Sequence, residues 1–98
     1  MKTYDDVRKM LNLNVGDGIA STFFTEDDMS MLNVDRYSVW KNAIDNVREK
    51  FDEAGVEMEE FHIITDYAVP DFDGVHRPGT IFIGVKRRVK TDDDQHSS

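Results

Sequence analysis

Carboxylates are the side chains whose spacing bears most directly on function. Asp45, Glu49 and Glu53 recur at i, i+4 and i+8 of a segment that reads as helix, with Asp52 beside them. Glu57, Glu59 and Glu60 continue the acidic run past its end. Like charges at i, i+4 cost a few tenths of a kcal/mol per step. Asp52 and Glu53 also stand at the carboxyl end of the helix, where its dipole disfavours anions. Arg48 and Lys50 neutralise part of the line. A helix that breaks two local rules is either an ordinary solvated face or a surface kept for something cationic. These seven carboxylates are the expected contact set for a protein partner with a basic surface, such as a nucleic-acid enzyme whose groove they would occupy in place of DNA.

Catalytic and metal chemistry find less support. His62 and Asp66 lie four apart on a strand, about 13 Å at ~3.3 Å per residue, too far for a base and the carboxylate that orients it. His76 has Asp71 and Asp73 nearby but no nucleophile beside it. Val15-Gly16-Asp17-Gly18 lacks the Gly-Lys-Ser/Thr of a phosphate-binding loop. The stretch Asp71-Phe72-Asp73-Gly74 resembles a fragment of a calcium loop. Counted from Asp71, however, the glycine falls fourth rather than sixth, and Phe82 stands where a bidentate glutamate belongs. The expectation is a non-enzymatic protein with no metal and no cofactor.

Two further surfaces enter the reading. Lys86-Arg87-Arg88-Val89-Lys90 is a short basic run that follows fourteen carboxylates and four basic residues between Glu26 and Asp73. Lys86, Arg88 and Lys90 would share a strand face, with Glu60 pairing Arg88 across the hairpin. Phe24, Ile64 and Phe82 are expected on the sheet face away from the long helix, covered by the first helix or forming a homodimer interface. Met29, Met31 and Leu32 form an apolar knob that adds to the core or to such a surface. A small-ligand or nucleotide site built from His62, Arg77 and the Lys86/Arg88 face is a third alternative.

The elements that must position these residues follow from pattern. Thr3 caps a first helix that carries Tyr4, Val7, Met10 and Leu11 and fades near Asn12. Ile19 to Thr25 reads as a short strand, and Thr25 caps a short turn of helix. From Arg36 to Ala54, Tyr37, Trp40, Ile44, Val47, Phe51 and Ala54 keep the spacing of one buried stripe. Asp35 is its expected cap and Gly55 its left-handed stop. Strands over Met58–Val69 and Thr80–Val89 follow, joined by a loop Pro70–Gly79. Phe61, Ile63 and Tyr67 are expected on one face with Ile81, Ile83 and Val85, odd positions facing odd.

The expected fold class is α+β: a small antiparallel sheet of about three strands, a long amphipathic helix on one face and a short N-terminal helix. Ninety-eight residues make room for one domain over 1–90, with an acidic disordered tail over 91–98. A net charge of −8 opposes general binding to nucleic acid or to an anionic membrane. No cysteine, no signal-like start and no apolar run near 20 residues point to a cytoplasmic protein. This profile is typical of inhibitor, immunity or phage-accessory proteins. The leading reading is therefore a small acidic protein that inhibits or modulates a larger partner, with a homodimeric assembly module as the alternative.

Overall fold

A computed structural model describes the backbone of residues 1–31 and 36–88 and the side chains of 1–28 and 37–88. The elements run α1 (Tyr4–Met10), β1 (Gly18–Thr25), α2 (Glu26–Met31), α3 (Arg36–Ala54), β2 (Glu60–Pro70) and β3 (His76–Lys86). The helix ends are written locally. The Thr3 hydroxyl accepts from the Asp6 N–H while the Asp6 carboxylate accepts from the Thr3 N–H. Thr25 and Asp28 make the same reciprocal pair at the start of α2. Gly55, at φ +69°, ends α3. Its N–H donates to the Asp52 carbonyl and that of Val56 to Phe51, the bond pair of a Schellman stop. The Asp35 cap, Leu32, the side chains of Met29 and Met31, Val89–Lys90 and the tail lie outside the described residues.

The three strands form one antiparallel sheet in the order β1-β3-β2. This is the α+β architecture read from the sequence, with β1 paired to β3. No helix among the described residues is long and apolar enough to cross a membrane.

The expected register is corrected. Ile63 stands opposite Phe82 and Phe61 opposite Gly84, so odd positions of β2 meet even positions of β3. The register then slips between Ile64 and Tyr67, where Asp66 takes a φ of 55°. One extra residue in β2 turns the following side chains to the other face. Phe61 and Ile63 therefore pack with Ala43, Val47, Phe51 and Phe82 under α3. Tyr67 and Val69 pack with Ile64, Ile81, Ile83, Val85 and Val7 of α1. Both faces of the sheet are thus cores, one per helix. Within α1, Val7 is buried and Leu11 packs on this cluster, whereas Tyr4 and Met10 are exposed.

On α3 the buried positions are Val39, Ala43, Val47 and Phe51, a run of i+4 steps. This corrects the stripe expected through Tyr37 and Trp40. Tyr37 is 75% exposed and Trp40 39%, although the Trp40 ring still meets Phe82 edge-on at 6.4 Å. Ala43 is fully buried beside Phe82, and Gly84 of β3 leaves the room that Val47 and Phe51 of α3 occupy. A Cβ on Gly84 would lie 2.6–2.8 Å from Met58, Val47 and Phe51.

β3 begins at His76, inside the expected loop, so the hairpin turn is short. Pro78 is tolerated in a strand because β1 ends opposite Gly79, leaving no neighbour on that side to need the missing N–H.

Candidate functional site

The helix α3 carries its acidic residues opposite the positions that Phe82 and Phe61 bury. Asp45, Glu49, Asp52 and Glu53 are all exposed, and so is Glu57 just beyond the helix. Among the described residues none of the five takes part in an ion pair. Lys50, counted in the sequence as a neutralising charge, points elsewhere: its Nζ donates to the Ser21 carbonyl of β1 at 2.6 Å. Lys41 and Arg48 stay exposed on α3 without an ion pair among the described residues. The carboxylate line is therefore less compensated than its composition implies. Tyr37 and Trp40, part-exposed aromatics at i and i+3, stand on the same helix.

Glu59 and Glu60 do not belong to that open surface. Glu59 pairs with Lys86 at 3.3 Å and accepts the Arg87 N–H at 3.0 Å. Glu60 takes the Arg87 guanidinium through both oxygens, at 2.6 and 3.1 Å, and meets His62 Nε2 at 2.9 Å. The expected pairing of Glu60 with Arg88 is corrected to Arg87, a consequence of the one-residue register difference. Arg87 further donates to the Leu11 and Asn12 carbonyls, closing the end of α1, and lies 3.4 Å from Asp17. The Asp17 side chain is only 2% exposed and accepts the N–H groups of Arg88 and Asn14. The Arg87 hydrogen bonds, then that from His62, hold the Glu60 carboxyl down at about 2. The Arg88 and Asn14 N–H groups, with help from Arg87, lower that of Asp17.

Sequence reasoning overlooked this hub. Its signal was parity: Arg87 continues the Ile83, Val85 series, so its face is the α1 core, and a cation entering a core face must find partners.

The apolar trio is divided. Phe82 is fully buried and Phe24 meets it edge-on at 6.2 Å, both beneath α3, whereas Ile64 lies in the α1 core. Phe24, Ile64 and Phe82 therefore do not make one surface. The ligand alternative is dispersed as well. Arg77 and Lys86 are nine residues apart on β3, about 30 Å of strand. His62 is held by Glu60, and Arg77 is held by Asp71 at 2.7 Å and Asp73 at 3.1 Å. That clamp also accounts for the calcium-like stretch, whose two carboxylates face a guanidinium and accept backbone N–H groups of the turn. The arrangement as a whole sets an exposed anionic helix face over a two-sided core. Compared with protein-family models, with curated proteins and with solved structures, the chain matches none.

Proposed function

We propose that the chain is a non-enzymatic binding protein that inhibits or modulates a larger, basic-surfaced protein in the cytoplasm, and that it does so through the outer face of α3. The supporting observation is the line Asp45, Glu49, Asp52 and Glu53, exposed and without an ion pair among the described residues, on a helix anchored by Val47 and Phe51. These four carboxylates span ~12 Å of helix axis, or one per ~4 Å, close to the ~3.4 Å per phosphate of a single DNA strand. A partner groove shaped for a nucleic-acid backbone would meet a similar charge density here. Glu57 extends the face. Glu59 and Glu60 serve the Arg87 cluster instead. Tyr37 and Trp40 supply aromatic surface of the kind that anchors interfaces.

The test is capture by the immobilised protein from a lysate of its source organism, compared with the Glu49→Lys/Glu53→Lys double variant. A stoichiometric basic protein should be held at low salt, released at high salt and bound about tenfold or more weakly by the variant. Equal capture by the two, with the variant still folded, would remove the acidic face from the account.

A further inference from the structure

The two edges of the sheet are built by opposite rules. Midway along β2, Lys2 covers the edge around Tyr67: its N–H donates to the Asp66 carbonyl at 2.7 Å, and the Ala68 N–H donates back to the Lys2 carbonyl at 2.8 Å. That edge also carries the Asp66 bulge and ends on Pro70. These are the usual protections against strand addition. β1 has almost none of them. Its sequence, Gly-Ile-Ala-Ser-Thr-Phe-Phe-Thr, holds no charge and no proline in a chain that is 33% charged. Its eight pairings with β3 run without a bulge.

The outward groups can be assigned. The Val85 carbonyl accepts from Glu59 on the β2 side. Because bonding direction alternates along a strand, even residues of β3 serve β1. Ile19, Ser21 and Phe23, opposite Val85, Ile83 and Ile81, therefore turn their N–H and C=O groups away from the sheet. Lys50 covers only the Ser21 carbonyl. The side chains of Ile19 and Phe23 are 36% and 40% exposed.

We propose that β1 is the seam of a homodimer, in which β1 of a second copy pairs with it antiparallel to give a continuous six-stranded sheet. In the two-fold register Ser21 faces Ser21 of the second copy, and Ile19 faces Phe23, an aliphatic–aromatic pair made twice. Charge selects this occupant. A chain of net charge −8 repels its own copy over most approaches. Pairing β1 with β1 sets no charge against another along the strand. It also brings Glu26 and Asp27, just past the end of β1, to the opposite end of the second β1. There Arg88 lies so near Gly16 that a Cβ on the glycine would sit 2.7 Å from its Cδ. Among the described residues, the side chains of Glu26, Asp27 and Arg88 make no ion pair within the chain. Lys50 is the removable cover, leaving Ser21 when the second strand arrives. This inference is independent of the acidic-face reading.

Sedimentation of the full chain over a concentration series is the test. The expected result is a reversible species of twice 11.3 kDa. Ser21→Pro, which removes an outward N–H and no ladder bond, should weaken the dimer about tenfold or more. Arg88→Glu should weaken it as well. For the wild-type chain, amide exchange at Ile19, Ser21 and Phe23 should slow as concentration rises, which reads the seam even if the proline variant fails to fold. A monomer up to ~1 mM overturns the proposal. So does a dimer whose three amides exchange at the same rate at every concentration.

Discussion

Arg87 joins more of the chain than any other described side chain, and acid should reveal it. Its guanidinium reaches the end of α1, the start of β2 and the turn at Asp17. The Glu60 carboxyl it holds titrates at about 2 against an ordinary 4.5. A carboxyl lowered by folding contributes stability that is fully present above its unfolded value and is lost as pH falls through its folded value. Asp17 is shifted in the same direction for related reasons. Melting temperature should therefore fall as pH drops from 4.5 toward 2, and Arg87→Met should flatten that fall while lowering stability at pH 7. A variant with an unchanged slope below pH 4.5 would place the acid sensitivity elsewhere, for instance at the Asp73–Arg77 clamp.

At the scale of the element, α3 carries a conflict that a single change can relieve. Glu53 repels Glu49 one turn back and opposes the dipole at the helix end. Glu53→Lys replaces both costs with a favourable Glu-to-Lys spacing and a cation at the C-terminus. It should stabilise the domain by about 0.5–1 kcal/mol in urea titration. Stability gained with partner affinity lost would mark a position held for binding. Stability lost would mean that Glu53 has a structural role, and the stripe would no longer count as a sacrifice. Such local conflicts are legible in sequence, as were the Thr3 and Thr25 caps and the Gly55 stop, because each is decided within a few residues. The register was not legible. Asp66 is of a type that tolerates a positive φ, but that tolerance alone does not place a bulge, and one inserted residue reversed which hydrophobic set met α3. The buried stripe of α3 was missed for a related reason: Val47 and Phe51 close over Gly84 and Ala43 packs with Phe82, whereas Tyr37 is left exposed and Trp40 only partly covered, and only tertiary approach decides that. The misassigned faces then carried Phe24, Ile64 and Phe82 into one imagined surface and hid Arg87.

For the whole molecule, the two proposed modes of association make opposite demands on salt. Contact between the α3 face and a basic protein is an attraction between unlike fields, so added salt screens it and slows encounter. Pairing of two copies through β1 joins an uncharged seam against the mutual repulsion of two chains of net charge −8. Screening removes that repulsion while touching only the Arg88 contacts at the ends of the seam. Raising salt from about 0.05 M to about 0.5 M shortens the Debye length from ~14 Å to ~4 Å, below the distance between most charges on the two bodies. Self-association should therefore tighten over the range in which capture of the basic partner is lost. A sedimentation series at several salt concentrations, run beside the capture experiment, reads both. Self-association that weakens with salt would mean that charged contacts hold the copies together and β1 does not. A partner retained at high salt would mean that Tyr37 and Trp40, rather than the carboxylates, dominate the α3 face.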